Sequence, residues 1–172
     1  GFVILTDHGD GTRRAEPAAY VGGVLLVDAV EVSTAGGHYT ALGVEEAPYP
    51  LGGEPEGVIE DAARLGGFGF AAHPDSPRPE LAWSAREAPI DGLEWLNADS
   101  EWRNETRRQL ARVLIDYPFR PAPALASILD RPAGTLERWD RLTAVRRVAA
   151  IAGHDAQGGI GRSAEYRGTS RR

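Results

Sequence analysis

The 172-residue chain contains no cysteine, no methionine and no lysine. Without cysteine there is no disulfide framework, no thiolate nucleophile and no thiolate-bound zinc, so any metal must take nitrogen and oxygen ligands. The 19 basic residues, all arginine, are outnumbered by 25 acidic ones, giving a net charge of -6 and a pI near 5.2. That balance argues against an electrostatic grip on nucleic acid or an anionic membrane. No apolar run approaches the roughly 18–20 residues that span a bilayer, and no charged-then-apolar leader is visible. A soluble, cytoplasmic protein is the expectation. Histidine is scarce as well, with four in the whole chain.

What is present suits one globular domain, since 42% of the residues are hydrophobic and this length buries a sizeable core. The domain is expected over 1–159, followed by a polar Gly- and Arg-rich tail over 160–172 that lacks apolar periodicity. Short apolar runs read as strands: Phe2 to Leu5 leading into Thr6-Asp7-His8, Val24 to Val30 ending at Glu31, and Phe68 to Ala72 ending at His73-Pro74. Leu93 to Leu96 ends at Asn97, and Val148 to Gly153 ends at His154-Asp155. His38 opens a further strand, Tyr39 to Val44. Between the first two strands, Gly9 to Ala19 reads as a loop with at most one helical turn.

Helical spacing appears from Glu54 to Leu65, with Val58, Ile59, Ala62 and Ala63 as the apolar stripe and Gly66-Gly67 as the stop. A single arginine-rich amphipathic helix is expected from Ser100 to Tyr117, broken by Pro118, Pro121 and Pro123. Two more helices are expected at Ala124 to Leu129 and Thr135 to Val145. Strands alternating with helices indicate an α/β fold with a mainly parallel sheet.

Polar residues at one common strand edge are how a parallel sheet or barrel builds a site, because the loops leaving that edge converge. Glu31 and His38 are seven residues apart, with Gly36-Gly37 between them to allow a tight reversal. His8, His73 and Asp155 would reach the same edge from other strands. Imidazole and carboxylate gathered in this way suit a metal site, with Asp7 as an orienting neighbour. Taken singly, a strand-end histidine is more often a hydrogen-bonding loop residue than a ligand. Glu94, between apolar neighbours, either faces solvent on an alternating strand or supports the site. Trp83, Trp95, Trp102 and Trp139 are expected in core or pocket wall, and Arg107-Arg108 and Arg146-Arg147 on solvated helix faces or ends.

These segments together resemble the PHP (polymerase and histidinol phosphatase) superfamily of metal-dependent phosphoesterases. Thr6-Asp7-His8 is similar to its T-D-H motif, Asp28 to Ser33 to G-x-E-[IV]-S, and Gly37-His38 with Ala41-Leu42-Gly43 to G-H-x-x-x-L-G. Ala72-His73-Pro74 matches A-H-P, Asp91 to Asn97 resembles D-G-[LI]-E-x-x-N, and Gly153 to Gln157 resembles G-S-D-A-H. The resemblance implies a distorted, TIM-like (β/α)7 barrel with two or three divalent ions (manganese, zinc or iron) at the C-terminal strand ends. It implies His8, Glu31, His38, His73 and Asp155 as ligands, Glu31 as the bridging carboxylate, and a metal-activated hydroxide attacking phosphorus. His8, Glu31, His73 and Asp155 are the residues expected to carry catalysis, with Glu94 and Asn97 behind the ligands. Arg13, Arg14 and Arg78 are expected to grip a small anionic substrate.

Two positions depart from the pattern. No H-x-H occurs, and Gln157 replaces the last histidine of G-S-D-A-H, where an amide oxygen is a poorer ligand than imidazole. Because the chain begins inside an apolar run, a first strand is expected to be missing, leaving an open barrel edge that either another segment fills or a second copy pairs. A catalytically silent PHP-like binding domain is therefore one alternative. A metal-dependent carbamate or carboxyl-ester hydrolase is another, since loop shape rather than the ligands selects the substrate.

Overall fold

The direction in which each strand runs decides which residues meet. A computed structural model describes residues 1–154. Asp155, Gln157 and the expected tail lie outside the described residues. The strands are β1 (Phe2–Gly9), β2 (Ala19–Val21), β3 (Val24–Thr34), β4 (Gly37–Leu42), β5 (Phe68–Ala71), β6 (Gly92–Asn97) and β7 (Ala149–Gly153). The helices are α1 (Pro55–Arg64), α2 (Ala98–Asn104), α3 (Arg107–Asp116), α4 (Pro121–Ala126) and α5 (Ala133–Thr143).

One sheet follows the order β1-β3-β4-β5-β6-β7, with β2 paired to β3 off this path. The sheet is curled into a half-barrel, with β1 and β7 at its two ends. Neighbours β1–β3, β5–β6 and β6–β7 are parallel, whereas β2–β3, β3–β4 and β4–β5 are antiparallel. The expectation of a mainly parallel sheet is thus corrected to a mixed one. Its cause is local: only Ala35 and Gly36 separate β3 from β4, and a connection so short can only return the chain antiparallel. Gly37 turns the corner at φ 114, and a Cβ there would stand 2.8 Å from the Ala82 carbonyl oxygen. Because β4 is reversed on both sides, β1, β3, β5, β6 and β7 still run the same way. Their C-terminal ends and the N-terminal end of β4 therefore share one rim.

Alternation along each strand separates two faces. On the outer face, Val32, Tyr39, Ala41, Ala71 and Leu93 pack with Val58, Ile59 and Ala62 of α1 and with Trp83, and Trp139 and Leu142 of α5 pack against this cluster. The inner face has a smaller apolar layer of Ala29, Leu42 and Phe70, flanked by Ile4, Val27 and Ile151. Followed toward the rim, the inner-face positions become Glu31 on β3, His38 and Thr40 on β4, and Glu94 on β6.

Several expected boundaries move. β3 runs past Glu31 to Thr34, so Glu31 lies within the strand. The loop after β1, expected to hold at most one helical turn, holds none and ends in β2. The single helix expected over Ser100 to Tyr117 is two, because Asn97 accepts a hydrogen bond from the Ser100 N–H and Thr106 one from the Gln109 N–H, each starting a new helix. α4 begins at Pro121 rather than Ala124, since first-turn positions need no N–H and accept Pro121 and Pro123. α5 is shifted to Ala133–Thr143. Trp102 is 39% exposed rather than buried. Arg146 is half-buried and donates to the carbonyls of Ile90 and Ala88, so it is not a solvated helix end. Among the described residues no helix is long and apolar enough to cross a membrane.

Candidate metal centre

Register brings the rim residues together. β1 and β3 pair His8 with Glu31, while β3 and β4 pair Ser33 with His38, two residues beyond Glu31 on the same face. The Ala72 N–H donates to the His38 carbonyl, which delivers the next residue, His73, to the same place. Three imidazoles therefore surround a single carboxylate oxygen, Glu31 Oε1. His38 Nδ1 is 2.6 Å from it, His73 Nε2 3.1 Å and His8 Nδ1 4.0 Å. The His38 ring meets both neighbours edge-on, with centroids 5.2 Å from His8 and 5.0 Å from His73.

Burial is graded across the cluster. Glu31 and His73 are buried, His38 is nearly so, and the His8 side chain is 50% exposed. Burial by itself pushes the Glu31 carboxyl pKa up, but the hydrogen bonds from His38 and His73, aided by the charge of His8, outweigh it and hold the pKa at about 2. Glu31 is thus a carboxylate at any ordinary pH.

The hydrogen-bond partners of His73 test whether the cluster suits a cation. His73 Nδ1 lies 3.1 Å from the Leu81 carbonyl oxygen. A carbonyl only accepts, so Nδ1 carries the proton. Nε2 then faces the Glu31 oxygen, and that contact requires positive charge, either a second ring proton or a metal ion. The ligand atoms of His8, Glu31 and His38 lie within 4.8 Å of one another and could hold a metal ion. Imidazole and carboxylate donors are the set that zinc, manganese and iron accept.

Other expected site residues have definite places. Glu94 is buried, not solvent-facing: its Oε2 accepts from the His73 N–H at 2.7 Å and from Asn97 Nδ2 at 2.9 Å. Asn97 in turn accepts from the Ser100 N–H through Oδ1. Asp7 is exposed and alternates with His8 on β1, so it faces away from the cluster. Arg13 forks Asp28 with two hydrogen bonds of 2.8 Å, and Asp28 lies on the face of β3 opposite Glu31. Arg14 pairs with Glu45, and Arg78 is exposed. His154 follows β7 and is exposed. Sequence reasoning missed Ser33, whose Oγ is 3.3 Å from His38 Nε2, although its two-residue spacing from Glu31 would have found it. It also missed the Leu81 carbonyl, a backbone atom that leaves no trace in residue type.

Comparison of the chain with protein-family models, curated proteins and solved structures finds no match.

Proposed function

We propose that the chain is a metal-dependent hydrolase of the PHP type acting on phosphoesters. The observation that supports this reading is the gathering of His8, His38 and His73 around one oxygen of the buried Glu31 carboxylate. In it, His8, Glu31 and His38 hold a divalent zinc, manganese or iron ion. Such an ion supplies Lewis acidity, lowering the pKa of a water and drawing charge from a phosphoryl oxygen. Glu31, already ionised, needs no proton loss to bind a cation. His73, with its Nδ1 proton committed to Leu81, keeps Nε2 turned toward Glu31, a tautomer fixed by the partner on the other ring nitrogen. His8, half-exposed, marks the side from which a small anionic substrate reaches the cluster. Beneath the cluster lies the apolar layer of Ala29, Leu42 and Phe70. The finer fold belongs to the same proposal: the curled half-barrel is read as part of a (β/α)7 barrel of this type.

The experiment is metal analysis by inductively coupled plasma mass spectrometry after dialysis against manganese or zinc, followed by assay with p-nitrophenyl phosphate. One retained ion per chain, lost in His38→Ala together with turnover, is the expected result. A chain that retains no ion under either condition overturns the proposal.

A further inference from the structure

Of the three clustered histidines, His73 alone has an unusual backbone. Its φ is 28, in the left-handed region, and it is the only non-glycine residue with positive φ among the described residues. A β-carbon is disfavoured there, so such a conformation persists only where its surroundings over-determine it. At His73 those surroundings are visible. The N–H donates to Glu94 Oε2 at 2.7 Å, the carbonyl accepts from the Ser76 N–H at 2.9 Å, and Nδ1 donates to Leu81 at 3.1 Å.

Glu94 is held with equal care. Its Oε2 takes a second hydrogen bond from Asn97 Nδ2, and Asn97 is tied to the first turn of α2. The carboxylate also occupies the space where Gly153 of β7 has no side chain. A Cβ built on Gly153 would stand 1.6 Å from Glu94 Oε1, so only glycine at that position leaves room. Neighbouring strands thus supply the acceptor and the space it needs.

We infer that Glu94 is a positioning residue: its carboxylate, seated against Gly153, holds the His73 backbone in the left-handed conformation that turns Nε2 toward Glu31. The metal arm of the test rests on the proposed function; the conformational arm does not. If the backbone of His73 relaxed to an ordinary conformation, the ring would leave Leu81 and Glu31 together.

The test uses the full chain labelled with nitrogen-15. In the unaltered, metal-free protein the His73 amide proton should resonate downfield and exchange slowly, and its Nδ1 should report the protonated state. A rapidly exchanging, upfield His73 amide overturns the inference without any variant. Glu94→Gln should move the amide upfield, speed its exchange at least about tenfold and weaken zinc binding by about 10-fold, because His73, which Glu94 holds, orients the ligand Glu31. Gly153→Ala, which displaces the same carboxylate without altering its chemistry, should shift the same His73 signals. A merely structural role would lower thermal stability while leaving the His73 ring nitrogens and zinc affinity where they were, and that result sinks the idea. An unaltered chain that binds no zinc, yet shows the His73 shifts in Glu94→Gln, removes the hydrolase reading and leaves the positioning role standing.

Discussion

On the helix-covered face of the sheet, Val32, Tyr39, Ala41, Ala71 and Leu93 are each 1% exposed or less. One residue away along the same strands, on the inner face, stand Glu31, His38, Thr40 and Glu94. The two faces share a backbone and differ in what surrounds them. Outside, α1 and α5 close over a broad apolar cluster. Inside, the apolar layer shrinks to Ala29, Leu42 and Phe70, and above it polar groups face one another. Burial of apolar area is the dominant favourable term in folding, so the outer face carries most of the stability. The inner face spends part of that stability on a buried carboxylate and a left-handed histidine. Substitutions on the two faces should therefore separate fold from chemistry.

The largest expected effect comes from weakening the outer layer. Ile59 of α1 is 6% exposed within the outer cluster. Ile59→Ala should cost about 2–5 kcal/mol of unfolding free energy, through lost transfer energy and the cavity left behind. Urea denaturation would measure it, and zinc titration of the folded variant should match that of the unaltered chain. A cost below about 1 kcal/mol would mean that the outer layer does not dominate. A zinc affinity that fell with stability would mean the two faces are not separable.

Tyr39 gives a smaller effect of opposite sign. Its ring packs in the outer cluster beside Trp83, at a centroid distance of 6.3 Å, but its buried hydroxyl has no hydrogen-bond partner among the described residues. Burial, with the nearby Asp91 charge, pushes the phenol pKa well above its ordinary range. An unsatisfied buried hydroxyl costs about 1–3 kcal/mol. Tyr39→Phe should therefore raise the denaturation midpoint, by the equivalent of about 1 kcal/mol, and leave the inner face unchanged. A lowered midpoint would show that the hydroxyl is bonded in solution.

How much of this was legible beforehand differs between the faces. The rim could be read from the sequence because period-two alternation and a glycine turn are local signals: Glu31, Gly36-Gly37 and His38 suffice to bring a carboxylate and an imidazole to one edge. The antiparallel return of β4 was implicit in that same turn, and a mainly parallel sheet does not follow from it. The division between α2 and α3 was also written locally, since Thr106 and Gln109 are spaced as a capping pair. Other features depend on chain segments far apart in sequence. That His73 points Nδ1 at Leu81, that Glu94 takes the His73 N–H, and that Gly153 leaves room for Glu94 are facts of tertiary packing. Arginine chemistry alone also misleads at Arg13, since a guanidinium in a loop near a rim looks the same whether it grips a substrate or a neighbouring aspartate.

That last ambiguity yields the smallest of the expected effects. Arg13 forks Asp28, and the Glu16 N–H adds a third hydrogen bond at 2.7 Å. The Arg13 hydrogen bonds are the main cause holding the Asp28 carboxyl below its ordinary value of 3.8, against the opposing effect of burial. The folded state therefore binds fewer protons at this site than the unfolded chain. The stabilisation is complete above the ordinary value and is lost as pH falls through the lowered one. Asp28→Asn should flatten this acid limb in denaturation midpoints measured from neutral pH downward. At neutral pH the loss should be about 1 kcal/mol or less, because the Arg13 side chain is 55% exposed and solvent screens the pair. Arg13→Ala should flatten the same limb while leaving KM for p-nitrophenyl phosphate unchanged, as its place opposite Glu31 requires. A raised KM in Arg13→Ala with an unaltered acid limb would return Arg13 to the substrate and break the division between the faces at β3.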